Sequence, residues 1–101
     1  MIYTVIFHPE ADKEYRESFL WYEKKVKGLG YRFEIVVEGK IREIMNNPEK
    51  YPKRMGLYRE APVGGFPYVI VYRINKMLER IFVSSLFHTS RNPKRKYRRD
   101  K

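Results

Sequence analysis

The densest chemistry in this chain lies at its C-terminal end. His88-Thr89-Ser90-Arg91-Asn92-Pro93 runs into Lys94-Arg95-Lys96-Tyr97-Arg98-Arg99, and seven cations fall between Arg91 and Lys101. An imidazole and a phenol among guanidinium groups supply what acid–base work on a ribose or phosphate requires. The ring groups exchange protons, and the cations stabilise the added charge of a phosphorane-like transition state. Held on a fixed base, the same cations bind phosphates or a carboxylate-rich peptide with no reaction at all. The plainer alternative is a solvated basic tail. The segment follows directly on a strand-like run, so the core fixes its first residues in space.

Other reactive constellations are missing from the sequence. The two histidines, His8 and His88, stand without His-x-x-x-His or Asp-x-Asp spacing, so no metal site is expected. The absence of cysteine excludes a thiolate nucleophile, a disulfide framework and thiolate-bound zinc, and suits a reducing cytoplasm. Gly28-x-Gly30 separates two helical patterns and Gly64-Gly65 precedes a strand, so neither reads as a phosphate cradle, and no cofactor is implied. His8, immediately before Pro9, reads as a helix-entry residue.

The elements that must position the basic segment are legible in the apolar periodicity. Residues 2–7 are β-branched and aromatic and read as a first strand. Pro9 suits the first position of a helix, with Glu10 and Asp12 favourably placed against its dipole. Ala11, Tyr15, Phe19, Tyr22 and Val26 recur at helical spacing until Gly28. A second stripe, Leu29, Phe33, Val37, Ile41, Ile44 and Met45, runs to Asn46-Asn47-Pro48. Only Gly28-Leu29-Gly30 separates the two, so they must form an antiparallel hairpin. Residues 55–60 read as a short strand, and residues 68–74 as a central one. A two-residue turn at Asn75-Lys76 and a strand over residues 78–87 complete the expectation. The result is an α+β chain: an N-terminal strand, a two-helix antiparallel hairpin, a three-stranded antiparallel meander packed on the helices, and a basic C-terminal segment.

A length of 101 residues implies one domain, residues 1–101, and 16% aromatic residues suffice for one core. The net charge of +10 is unevenly placed. Residues 1–48 carry eight basic and eight acidic side chains, whereas residues 49–101 carry fourteen and four. The whole excess therefore lies on the sheet and tail, as a surface facing a polyanion or an acidic protein would have it. No apolar run approaches the length of a membrane span, and the N-terminus lacks the pattern of a signal peptide.

Five short patterns, in order, carry a family resemblance: Tyr3-x-Val5-x-Phe7-x-Pro9-x-Ala11, Gly28-Leu29-Gly30-x-x-Phe33, Ile44-x-x-x-Pro48, Phe66-Pro67-Tyr68-x-Ile70-x-Tyr72 and His88-x-x-Arg91-x-Pro93. Together they resemble the RelE/ParE superfamily of small bacterial toxins, closest to the ParE or plasmid-stabilisation branch. The resemblance implies a type II toxin neutralised by a cognate antitoxin, with Tyr15, Phe19, Trp21 and Tyr22 as core or antitoxin-groove positions. It also implies one of two targets. ParE-like members poison DNA gyrase and are not enzymes; here Arg59, His88, Arg91, Lys94, Arg95 and Arg98 are the expected target contacts. RelE-like members cut messenger RNA on the ribosome, and that chemistry would draw on Arg59, Arg73, His88, Arg91 and Tyr97. Many RelE-like nucleases carry an arginine three residues before the strand tyrosine. Val69 stands there, before Tyr72, and an aliphatic side chain contacts no phosphate. The resemblance therefore points to gyrase ahead of the ribosome. A family member that only binds nucleic acid or antitoxin is the third alternative.

Overall fold

His8 ends the first strand and starts the first helix. Its backbone N–H donates to the Val83 carbonyl at 2.8 Å, while its Nδ1 accepts the Glu10 N–H at 3.0 Å and so caps the helix that Pro9 begins. The computed structural model describes residues 3–97. In chain order it contains β1 (Thr4–Phe7), α1 (Pro9–Lys25), α2 (Leu29–Asn46), β2 (Lys53–Met55), β3 (Tyr58–Pro62), β4 (Tyr68–Asn75), β5 (Arg80–His88) and a single 3₁₀ turn, Pro93–Arg95.

The strands form one sheet in the order β1-β5-β4-β3-β2, antiparallel except that β1 runs parallel to β5. Parallel neighbours need a crossover, and the helical hairpin supplies it. Both helices lie on one face of the sheet. Phe33, Val37 and Ile44 of α2 and Ala11 of α1 are buried against Ile70, Tyr72, Ile81, Val83 and Leu86. The α+β architecture is the expected one.

The hairpin itself depends on two glycines and one carboxylate. Gly28 adopts φ +89°, a conformation that costs other residues strain, and offers α2 no side-chain cap. Glu23, near the end of α1, takes that role: its two carboxylate oxygens accept the N–H groups of Gly28 and Gly30 at 2.8 and 2.9 Å. Gly30 is where the helices touch, since a Cβ there would lie 2.6 Å from the Phe19 carbonyl oxygen.

Four local features differ from the sequence expectation. The short strand over residues 55–60 is two strands, β2 and β3, around a turn in which Gly56 takes φ +56°. β2 is an exposed edge of Lys-Arg-Met, and with no buried face it shows no alternation. The meander thus has four strands. The turn after β4 spans four residues rather than two, with the Asn75 side chain accepting the Leu78 N–H at 3.0 Å and Glu79 at φ +53°. In β5 the pairing passes from Val83 with Tyr72 to Ser85 with Val71, leaving Ser84 as a bulge. The bulge shifts the parity of the strand, so Leu86 joins Ile81 and Val83 in the helix-side core and Phe87 does not. On α1 the buried stripe is Ala11, Ser18 and Tyr22, whereas Val26 lies past the helix end and is exposed.

The connection from α2 to β2 is pinned from two sides. Tyr72, wholly buried, donates to the Pro48 carbonyl at 2.8 Å. Glu43 accepts from Lys50, Lys40 and Tyr51, and the hydrogen bonds from Lys50 and then Lys40 draw its carboxyl down to about 2. Among the described residues, no helix is long and apolar enough to cross a membrane.

Candidate functional site

Where the end of β5 meets α1, the chain forms a cleft of about 510 Å³ lined by Glu14, Ser18, Trp21, Tyr68, His88 and Arg91, among others. Each side arises from the local fold. Residues 14, 18 and 21 share the face of α1 that leans over the sheet. Tyr68 and His88 are register partners on β4 and β5, and their rings meet nearly edge-on at 4.9 Å. The Ser18 hydroxyl donates to the Tyr68 oxygen at 2.9 Å, fixing the strand tyrosine to the helix.

Glu14 is the hub of this cleft. One carboxylate oxygen accepts the Ser85 hydroxyl and the Leu86 N–H, both at 3.0 Å; the other accepts Arg91 Nη1 at 2.9 Å. Its side chain is only 13% exposed, whereas that of Arg91 is 38% exposed. The carboxylate therefore aligns the guanidinium without hiding it from solvent. His88 Nδ1 accepts the Ser90 N–H at 3.1 Å and lies 2.7 Å from the Ser90 hydroxyl. An acceptor at Nδ1 places the proton of the neutral ring on Nε2, so the imidazole offers a donor as its remaining polar group. The cleft thus presents two donors, His88 and Arg91, beside the half-exposed indole of Trp21. That arrangement is suited to an anionic group lying next to an apolar one.

Beyond His88 the basic segment divides. Asn92 caps the 3₁₀ turn by accepting the Lys94 N–H at 3.0 Å, and Lys94 and Arg95 face solvent. Lys96 and Tyr97 turn back over the sheet face opposite the helices. Lys96 Nζ lies 3.2 Å from Glu60 Oε1 and 5.3 Å from the centroid of the Phe87 ring. Tyr97 packs at a tilt against Tyr58, ring centroids 5.4 Å apart, and donates to Glu60; burial, then this bond, pushes its hydroxyl up to about 12. These contacts cover a face on which Val71 and Phe87 are buried. Arg98 lies outside the described residues.

The other two candidate arginines are elsewhere. Arg59 is 9% exposed and donates to the Tyr51 carbonyl at 2.6 Å, with Glu49 O at 3.5 Å. Its register partner is Tyr72, four residues and about 13 Å along β4 from Tyr68. Arg73 lies on the opposite face, its guanidinium 4.6 Å from the Phe82 ring centroid. The fold brings His88 and Arg91 together in the cleft, and Arg91 and Lys96 flank the Phe87 ring, each 5.3 Å from its centroid, with Tyr97 following Lys96 onto that face; Arg59 is enclosed on the helix side and Arg73 rests on Phe82. Glu14, Glu60 and Ser85 were not anticipated. A carboxylate three residues beyond Ala11 and four before Ser18, on the buried side of α1, was the available signal. Among the described residues, no cluster of His, Asp or Glu could hold a metal ion.

A family model described as the ParE toxin of the type II toxin–antitoxin system parDE matches residues 5–93. The chain belongs to the ParE toxin family. It is therefore a type II toxin of the RelE/ParE superfamily, and an antitoxin is its partner. Two solved structures of E. coli toxin RelE share its fold. A free-state double arginine-to-alanine mutant has a TM-score of 0.67 at 22% identity, over 89% of this chain and 86% of that one. The crystal structure of the isolated RelE toxin, in a P21 form, has a TM-score of 0.67 at 21% identity, over 93% of this chain and 92% of that one. No curated protein matches the sequence.

In this ParE-family toxin the four helix-face aromatics fall into three environments. Tyr22 is in the core, its ring 5.0 Å from Phe33 and 5.1 Å from Phe66. Tyr15 and Phe19 line a second cleft of about 380 Å³ between the outer sides of α1 and α2, with Leu20 and Tyr31. Burial, then a 2.8 Å hydrogen bond to Glu38, raises the Tyr15 hydroxyl far above its ordinary value. Trp21 is 56% exposed at the rim of the first cleft.

Proposed function

We propose that this toxin acts from the cytoplasm as a plasmid-stabilisation factor of the ParE kind, a single binding domain over residues 1–101 that inhibits DNA gyrase. The observation that carries the reading is that Arg59 and Arg73 are engaged away from the cleft that holds His88 and Arg91. An endoribonuclease needs its proton-transfer groups and charge-stabilising cations around one scissile phosphate. Here Arg59 is spent on backbone carbonyls, Arg73 rests on Phe82, and Tyr97 is held by Glu60, while only His88 and Arg91 share a cleft. Val69, on β4, adds no cation. Two aligned donors beside an indole suit a protein contact, with Lys94 and Arg95 as outward-facing supports.

The second reading, a ribosome-dependent messenger RNA endoribonuclease, is favoured by the likeness to RelE. Purified toxin assayed against gyrase supercoiling and against translated messenger RNA separates the two. Inhibited supercoiling with intact message is the expected result; cleaved message with unaffected gyrase would reverse the assignment. Changing His88 and Arg91 together to Ala is expected to abolish growth arrest. Unchanged toxicity in that variant would remove the cleft from both mechanisms, and a wild-type toxin that arrests nothing would leave a binding module.

A further inference from the structure

The Tyr68 hydroxyl is a polar group of the cleft that neither the gyrase nor the ribosome mechanism draws on. Its oxygen accepts the Ser18 hydroxyl at 2.9 Å, and Ser18 is only 8% exposed, so that bond is shielded from water. A phenol that accepts here keeps its own proton to give elsewhere. Tyr68 is in register with His88, and their rings meet at 4.9 Å. The turn after β5 closes on the same spot. The Thr89 N–H donates to the Pro67 carbonyl at 2.9 Å and the Arg91 N–H to the His88 carbonyl at 3.0 Å, which bends residue 91 back toward the strand pair. Three kinds of donor, a phenol, an imidazole N–H and a guanidinium, thus line one cleft. Trp21, Tyr22, Pro67 and Leu86 supply the apolar part of its lining.

Donors call for an anion, and the carboxylates around them limit its charge. Arg91 is the single Lys or Arg in the lining, against Glu14 and Glu17. Glu14 takes one guanidinium nitrogen at 2.9 Å, which leaves the other N–H groups of the fork to a ligand, and Glu17 adds a second negative charge. A dianion meets both carboxylates. So does a phosphate within a nucleic acid, which arrives with charged neighbours. Like charges brought together in a partly desolvated cleft repel. A carboxylate brings one charge on a planar group, the shape that a guanidinium fork matches. On a protein surface it also comes beside apolar side chains, as the lining requires.

We infer that this cleft is a carboxylate site, and that Tyr68 is a third contact residue, with His88 and Arg91, selecting an Asp or Glu side chain of a protein partner over a phosphate. The inference rests on the reading of the cleft as a protein contact and deepens it. Both the toxin's target and its antitoxin can deliver such a side chain, and the experiment separates them.

The test titrates two probes into the toxin, benzoate and phenyl phosphate, the latter close to a dianion at about pH 8. NMR follows the indole N–H of Trp21, the sole tryptophan. Benzoate is expected to shift that resonance saturably and to bind about tenfold tighter than phenyl phosphate. Tyr68→Phe, checked for fold by circular dichroism, is expected to weaken benzoate binding by about tenfold. Phenyl phosphate binding as tightly as benzoate, or Tyr68→Phe binding benzoate like wild type, would overturn the inference. The same variant measured against gyrase and against the cognate antitoxin identifies the partner, because the affinity that falls belongs to the protein that delivers the carboxylate. Loss toward neither would also overturn it. A wild type that binds benzoate as expected and leaves supercoiling untouched keeps the carboxylate site and defeats the gyrase reading alone.

Discussion

Arg91 is tied to α1 by Glu14, whose second oxygen holds β5 through the Ser85 hydroxyl and the Leu86 N–H. One carboxylate thus sets the distance between the first helix and the start of the basic segment. Glu14→Ala leaves a guanidinium and a backbone N–H without their acceptor, and is expected to lower unfolding free energy by about 1–3 kcal/mol. Glu14→Gln keeps an acceptor for Leu86 and is expected to cost less. Urea unfolding of the two variants measures this, and equal losses would show that the Leu86 bond contributes nothing.

Gly30 is a tighter constraint than Gly28. A methyl group at Gly30 would meet the Phe19 carbonyl oxygen at 2.6 Å and Glu23 Cβ at 2.9 Å, and a backbone oxygen cannot swing aside. Gly30→Ala must push the helices apart, with an expected loss of about 1–3 kcal/mol and a drop in Tm of several degrees. Thermal unfolding followed at the helix signal decides it; an unchanged Tm would mean that the hairpin yields freely.

Alkaline pH tests the buried link between the central strand and the connection after α2. Burial pushes the Tyr72 hydroxyl up from 10.0 to about 12, against a smaller lowering by Arg59. A phenol that holds its proton more tightly when folded stabilises the fold fully below pH 10. That contribution fades as pH rises from about 10 to about 12, because the unfolded chain ionises first. Tyr72→Phe removes this slope and also the bond to Pro48, so it is expected to be less stable at pH 8 and less sensitive above pH 10. Parallel stability curves for wild type and variant across that window would contradict it.

Trp21 is the sole tryptophan and stands half exposed at the cleft rim, so it reports directly on occupation of that edge. Its emission is expected to shift to the blue when the cognate antitoxin binds, as the indole leaves water. An unchanged spectrum in a saturated complex would place the antitoxin away from this rim.

Much of this architecture was legible because period and punctuation agreed. The α2 stripe from Phe33 to Ile44, the Pro9 helix start and the Gly28 break each have one physical reading. What escaped depended on tertiary partners. Arg59 reads as a surface cation in sequence, yet it is enclosed because the 49–51 connection folds over it and offers two carbonyls. Lys96 and Tyr97 read as part of a basic segment offered to phosphates or an acidic partner, yet Glu60, distant in sequence, brings them onto the sheet. The Ser84 bulge leaves no mark in the alternation of β5, because serine fits either face. In the cleft, His88 and Arg91 stood out by type and spacing, whereas Glu14 was one acidic residue among several on α1.

The parallel pairing of β1 with β5 makes the first and last strands neighbours, with residues 5 and 81 in register. During translation β1 and the helical hairpin are finished long before their place in the sheet exists. Val5, Phe7 and Ala11 wait unburied until β5 is made, and the His88 cleft is completed last of all. A nascent ParE-family chain therefore lacks the cleft proposed above to act on its target until nearly all of its residues have been joined.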